Sequence, residues 1–179
     1  MLFQKTFPCF EAFCAELFFV EVEQIKEMIS VCVERISDLE RDPRFQYVIW
    51  FKNYGDVAGG GPIHHARSQL IATPVTPKRV KEELVGARRY FNDKERCIFC
   101  DMLIQERNGK ERLVLESNRF VVLCPFASRF PFELVIFPTR HHCDFFGMQP
   151  EEKTVLAHTL KETLARLKIA LHDPPYNMV

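Results

Sequence analysis

Two apolar segments separated by a glycine-rich turn place the strongest constraint on the fold of this chain. Residues 46–51 and 68–73 are rich in the β-branched and aromatic side chains that favour strands. Three consecutive glycines at positions 59–61 lie between them, and glycine clusters mark turns. We therefore expect an antiparallel strand pair. Arg67 and Gln69 should share one face of the second strand, because side chains alternate along a strand.

Helices are predicted on both sides of this pair. Apolar residues recur at three- and four-residue steps from residue 20 to residue 41, as in an amphipathic helix. A long helix with a stripe of leucines is expected at 150–172. The shorter predicted elements are helices at 78–91 and 101–106 and strands at 111–116, 119–123 and 132–137. This order of helices and strands is that of an α+β fold.

Composition and charge restrict the possible classes of protein. A chain of 179 residues suits one domain, or one and a part. Basic and acidic residues number 24 each, so no net field attracts nucleic acid or an anionic membrane. No apolar run reaches the roughly 18 residues of a membrane helix, and Glu11 and Glu16 interrupt an opening that otherwise resembles a signal peptide. We expect a cytoplasmic protein, whose odd number of cysteines, seven, favours reduced thiols over disulfides.

The stretch from residue 53 to residue 69 is a candidate nucleotide-phosphate site. Glycines let a phosphate approach the backbone closely, and side-chain amides donate to phosphate oxygens. The alternative is a plain β-hairpin turn, and the occurrence of an asparagine, a glycine run, two histidines and a glutamine together in this order favours the phosphate site. The candidate residues are Asn53, Gly59, Gly60, Gly61, His64, His65 and Gln69.

A Cys-x-x-Cys pair, Cys97 and Cys100, predicts a metal site. Two thiolates at this spacing suit tetrahedral zinc, which needs two further ligands. His141 and His142 follow a predicted strand and a proline, where the chain can return to the pair. Two unligated cysteines beside a surface histidine pair are the alternative. A thioredoxin-like redox pair fits less well, because the βαβ context of that motif is missing.

These motifs, in this order, resemble the galactose-1-phosphate uridylyltransferase family of the histidine-triad superfamily. The family pattern is Asn-x-Gly, a turn of small residues, then His-Pro-His-x-Gln. The similar segments are 53–69, 97–101, 125–133, 138–141, 144–145 and 173–177. The resemblance implies a histidine-triad-like antiparallel sheet with flanking helices. It divides the chain into an unmatched segment (1–21), the C-terminal part of a first repeat (22–92) and the N-terminal part of a second (93–179).

The resemblance also implies a chemistry. Members of the family transfer a nucleoside monophosphate between a nucleotide sugar and a sugar-1-phosphate through a nucleotidyl-histidine. The signature glutamine, here Gln69, would stabilise charge on the phosphoryl oxygens. His65 would be a zinc ligand of the first repeat. Cys97, Cys100 and His141 would be three ligands of a second zinc.

Three departures from the family pattern affect this expectation. Arg67 occupies the position of the nucleophilic histidine, or Ala66 does if the loop is aligned from Asn53. A guanidinium stays protonated and has no lone pair with which to attack phosphorus, although it can bind phosphate as a fixed cation. The first repeat's Cys-x-x-Cys has no counterpart in residues 1–20, and the second repeat's His-x-His strand has none after residue 177. Exposed strand edges are then expected, and these favour a homodimer.

Four functions are compatible with these motifs. The chain is a uridylyltransferase with His64 or His65 as the nucleophile, or a related phosphorylase of a nucleotide sugar or dinucleoside polyphosphate. Otherwise it is an inactive remnant that binds zinc or a nucleotide, or a small α+β domain without a metal.

Overall fold

Four α-helices, one short 3-10 helix (Asp56–Ala58) and two antiparallel sheets make up the part of the chain that the computed structural model describes, residues 3–5, 20–60 and 67–179. The elements in chain order are β1 (Phe3–Lys5), α1 (Val22–Glu40), β2 (Tyr47–Tyr54), β3 (Arg67–Thr73), α2 (Lys78–Lys94), α3 (Ile98–Gly109), β4 (Leu113–Glu116), β5 (Phe120–Leu123), β6 (Val135–Pro138), α4 (Pro150–Leu171) and β7 (Tyr176–Met178). They form two compact units, residues 1–75 with 144–179 and residues 76–143.

The first unit contains a four-stranded sheet in the order β1-β3-β2-β7, with every neighbouring pair antiparallel. The central pair is long and regular: β2 and β3 run in register from Tyr47 opposite Thr73 to Asn53 opposite Arg67. β7 adds to the other side of β2, so that Asn177 lies opposite Asn53. Residues far apart in the sequence therefore meet at one end of β2.

Helix α1 covers one face of this sheet and packs against α4. Its buried side chains recur at helical spacing and form one stripe: Ile25, Met28, Ile29, Cys32, Val33 and Ile36. The sheet contributes Leu70 and Ala72, and α4 contributes Leu156, Ala157 and Leu160 to the same core. Both helices begin with a reciprocal side-chain cap, since the backbone N–H of Glu21 donates to Gln24 and that of Gln149 donates to Glu152.

The second unit combines helices α2 and α3 with a three-stranded sheet in the order β4-β5-β6. The central strand β5 is buried along its whole length, as expected of an apolar strand with neighbours on both sides. Helix α2 packs against α3, and neither contains a fully buried residue.

The predicted α+β class and the antiparallel sheets with flanking helices are confirmed. The strand predicted at 132–137 begins three residues later, at Val135, because Phe132 has the left-handed φ of +60° that ends an extended segment. The strands β1 and β7 were not predicted. The repeat boundaries at 22–92 and 93–179 stay a prediction. The two compact units are defined by contacts and not by sequence repeats, and they divide the chain at other residues. No helix within the described ranges is both long and apolar enough to cross a membrane.

Candidate functional site

The turn that follows β2 closes tightly on itself. The carbonyl oxygen of Gly55 accepts hydrogen bonds from the backbone N–H groups of Ala58 (3.2 Å) and Gly60 (2.9 Å), and Gly59 N–H donates to Asp56 O (3.1 Å). Gly55 and Gly59 have φ values of +82° and +83°, a region that L side chains rarely adopt. A Cβ atom on Gly60 would lie 2.8 Å from Gly55 O. Glycine is therefore needed here to build the turn.

Two candidate amides lie on the same face of the sheet beside this turn. Gln69 stands opposite Phe51 in the β2–β3 ladder, and Asn53 follows Phe51 by two residues, so their side chains leave the sheet on one side. The other face meets α1, where Ser68 Oγ lies 3.6 Å from Met28 Sδ. The amides thus belong to the face that α1 leaves uncovered.

The segment around β7 holds the end of β2 through several contacts. Asn177 Nδ2 donates to Asn53 Oδ1 (2.9 Å) and to the backbone oxygen of Ala58 (2.8 Å). The rings of Tyr54 and Tyr176 stack with centroids 5.1 Å apart, and Tyr54 Oη donates to Asp173 Oδ2 at 3.1 Å. Asn177 was not among the predicted site residues. The only signal was its membership of the 173–177 motif.

Lys52 is a buried charged residue on the helix-covered face of β2, next to the turn. Only 2% of its surface is exposed, and burial lowers the pKa of its ammonium group to about 8. Trp50, two residues earlier on the same face, packs against Phe145 with centroids 6.1 Å apart. Lys52 therefore points away from the amides of Asn53 and Gln69.

Cys97, Cys100 and His141 form a cluster in the second unit. One ligand atom from each lies within 4.8 Å of the others, and Cys100 Sγ is 3.2 Å from His141 Nδ1. Cys97 precedes the first turn of α3, Cys100 lies within it, and His141 follows β6. Burial, with contributions from Cys97 and Asp101, raises the pKa of the Cys100 thiol. The predicted set of three residues is brought together.

The structure describes some of the other predicted site residues and not others. Asn53, Gly59, Gly60 and Gln69 all lie at or beside the turn. Gly61, His64 and His65 lie outside the described residues, as does the side chain of Arg67, whose backbone pairs with Asn53. The roles of these residues stay predictions.

Comparison with known proteins identifies the family. The sequence profile of the galactose-1-phosphate uridyl transferase C-terminal domain matches residues 83–174, just over half of the chain. The chain belongs to this family. Residues 11–74 also match the N-terminal domain of a family of unknown function, DUF4931.

Individual relatives of this family member agree with the assignment. A galactose-1-phosphate uridylyltransferase of Thermotoga maritima is 33% identical over 159 residues, which cover 88% of this chain and 49% of the relative. An ADP-glucose phosphorylase of Arabidopsis thaliana is also 33% identical, over 86% of this chain and 42% of its own length. The crystal structure of an Arabidopsis ADP-glucose phosphorylase with bound ADP-glucose superimposes with a TM-score of 0.82 at 31% identity, covering 91% of this chain and 51% of that one. The chain thus spans about half the length of these relatives.

Proposed function

We propose that this chain binds a nucleotide sugar through its phosphates at the turn after β2, and that it does not form a nucleotidyl-histidine. The observation that carries the proposal is the unused amide donor of Asn53. Its Oδ1 is occupied by Asn177, and its Nδ2 donates to no residue in the described ranges. A Cβ on Gly59 would lie 3.4 Å from that nitrogen, so the donor faces the bare glycine surface of the turn.

The donors proposed for phosphate are side-chain amides, not the backbone of the turn. The N–H groups of Ala58, Gly59 and Gly60 all donate within the turn itself. The glycines contribute shape, because without Cβ atoms they allow a phosphate to approach Asn53. Gln69, on the same sheet face, supplies the second amide.

The absence of turnover is proposed from the chemistry of position 67. A nucleotidyl-histidine requires a neutral imidazole nitrogen that attacks the phosphorus atom. The guanidinium of Arg67 stays protonated and has only donors. It supports phosphate binding, for which a fixed cation is well suited, and not covalent transfer.

A zinc ion held by Cys97, Cys100 and His141 is the second part of the proposal. Tetrahedral zinc with Zn–S and Zn–N bonds of about 2.3 and 2.1 Å separates its ligand atoms by roughly 3.5–3.8 Å. The observed cluster, with its atoms within 4.8 Å of one another, fits such an ion. Zinc there would tie the start of α3 to the segment after β6, and the fourth ligand would be water, His142 or a group from another chain.

An active enzyme is the alternative function, and the relatives favour it. The two relatives at 33% identity are named for a uridylyl transfer and for a phosphorolysis. In that case His64 or His65 would carry the nucleotide, and the substrates would be a nucleotide sugar with either a sugar-1-phosphate or inorganic phosphate.

Binding and labelling of the same preparation distinguish the two functions. Purified chain is titrated with ADP-glucose and UDP-glucose in a calorimeter, then incubated with each compound carrying ³²P in the phosphate next to the nucleoside. Binding without an acid-labile, base-stable protein label supports the proposal. A histidine-linked label shows that the chain is an active transferase. No binding of either compound overturns both functions.

A further inference from the structure

We propose that Asn177 is a positioning residue that fixes which end of the Asn53 amide faces the phosphate. The inference rests on the proposed function and concerns a contact between β7 and the end of β2. It assigns to the last strand a part in nucleotide binding, although Asn177 itself need not touch the ligand.

The orientation of both amides follows from one backbone carbonyl. Ala58 O can only accept a hydrogen bond, so the group of Asn177 that lies 2.8 Å from it is the NH₂ group. The same NH₂ lies 2.9 Å from the Asn53 side chain, and therefore the atom of Asn53 that faces it must be the carbonyl oxygen. The amide of Asn53 then directs its own NH₂ the other way, against Gly59.

This direction decides the sign of the interaction with a phosphate. An amide that presents its NH₂ group donates to a phosphoryl oxygen, whereas a flipped amide presents an oxygen that repels it. Asparagine by itself has no strong preference between these two orientations. The hydrogen bond from Asn177 fixes one orientation of the Asn53 amide, and β7 holds Asn177 in register opposite Asn53.

The rest of the segment keeps this arrangement rigid. The Tyr54–Tyr176 stack and the Tyr54–Asp173 hydrogen bond flank the two asparagines. A Cβ on Gly55 would lie 2.8 Å from Pro175 Cβ, so the backbone of the turn is in close contact with the segment before β7. Asn177 is thus held by the β2–β7 pairing and by the contacts of the residues that precede it.

The test compares two substitutions at one position. In Asn177→Asp the carboxylate can no longer donate to Ala58 O, but it accepts a hydrogen bond from Asn53 Nδ2, which turns the Asn53 oxygen toward the phosphate. In Asn177→Ala the Asn53 amide is free to adopt both orientations. We expect the affinity for ADP-glucose or UDP-glucose to fall at least tenfold in Asn177→Asp and by a smaller factor in Asn177→Ala. Asn108→Asp, an exposed site in the other unit, controls for the change in net charge alone and should bind as the unmodified chain does; direct repulsion of the phosphate by Asp at position 177 is separated from the flip of Asn53 by the exchange measurement that follows.

A second readout needs no ligand. Solvent exchange of side-chain NH₂ protons, followed by NMR, should be slow for Asn177 and fast for Asn53 in the unmodified chain. In Asn177→Asp the Asn53 protons should become protected. Equal affinities of the two variants, or Asn53 protons already protected in the unmodified chain, would overturn the inference. If the unmodified chain binds neither compound, the proposed function fails, and the exchange rates alone decide whether Asn177 orients Asn53.

Discussion

Cys100 Sγ lies 3.2 Å from His141 Nδ1, although 41 positions separate these residues in the chain. Cys97 completes the group from the start of the same helix turn. A contact between a thiol and an imidazole at this range, with a second thiol beside it, matches the donor set of structural zinc sites. Such sites stabilise the fold, because the ligands are assembled only in the folded state.

The first prediction concerns metal content. The purified chain should contain about one zinc ion, as a single tetrahedral site holds, and the metal should be lost from Cys97→Ser and from His141→Ala. Both variants should also melt at a lower temperature than the unmodified chain, by an amount similar to that caused by a chelator. Cys124→Ser, in the same unit but outside the cluster, is the control and should retain its zinc. Stoichiometric zinc in Cys97→Ser would contradict the assignment.

The second prediction concerns two glycines that differ in the space available for a Cβ atom. Gly60→Ala should destabilise the fold by about 1–3 kcal/mol, since the new Cβ meets the backbone of Gly55 at 2.8–2.9 Å. Gly86→Ala should stabilise it by about 0.5–1 kcal/mol, because Gly86 lies inside α2 with nothing within 4 Å of a Cβ. Urea unfolding measures both changes. A neutral effect of Gly60→Ala would show that the turn does not close as described.

Local sequence patterns were sufficient for the longest elements. The 3.6-residue period of α1 predicted its bounds to within two residues, since the buried residues Ile25, Ile29 and Ile36 lie on one stripe. The apolar runs of β2 and β3 gave the central strand pair for a similar reason. Each of these elements carries its own hydrophobic signal, which does not depend on its partners.

The short strands carry no such signal. β7 has three residues, one of which is the exposed Asn177, and it is a strand only because β2 offers an edge to pair with. The Asn53–Asn177 hydrogen bond spans 124 positions and follows from that pairing. Cys97 and Cys100 were predictable because their Cys-x-x-Cys spacing is itself a local pattern, whereas His141 lies 41 positions away and was predicted from its place after a strand and from the family resemblance.

The third prediction concerns the pH dependence of stability. Burial lowers the pKa of Lys52 from 10.5 to about 8, so the unfolded chain binds one more proton than the folded chain between these values. Above pH 10.5 the burial of Lys52 does not reduce the free energy of unfolding. The free energy of unfolding falls as the pH drops from 10.5, and the loss is complete once the pH has fallen through about 8. Lys52→Met should therefore be more stable than the unmodified chain at pH 7, by on the order of 3 kcal/mol, and this advantage should shrink as the pH rises to about 10.

Other groups that titrate in this range cancel in the comparison. Burial raises the pKa of the Cys32 thiol to about 12. This thiol therefore lowers the free energy of unfolding above pH 9 by the same amount in both proteins. The measurement is urea unfolding of the two proteins at pH 7, 8, 9 and 10. Parallel stability curves would mean that Lys52 is charged and solvated in the folded chain.

The last prediction tests the chemical identity of position 67. Arg67→His places an imidazole where the family resemblance puts the nucleophile, in a strand whose backbone register with Asn53 is already set. If this chain has lost only that group, incubation with nucleotide sugar labelled next to the nucleoside should give an acid-labile protein label where the unmodified chain gives none. The label should disappear when Gln69→Ala is added, because charge on the phosphoryl oxygens then loses an amide donor. Arg67→Lys is the matched control, since it keeps a cation of the same sign without a nucleophilic imidazole. A label of equal intensity in the lysine variant would show that the nucleotide is carried by another residue and that position 67 is not the nucleophile position.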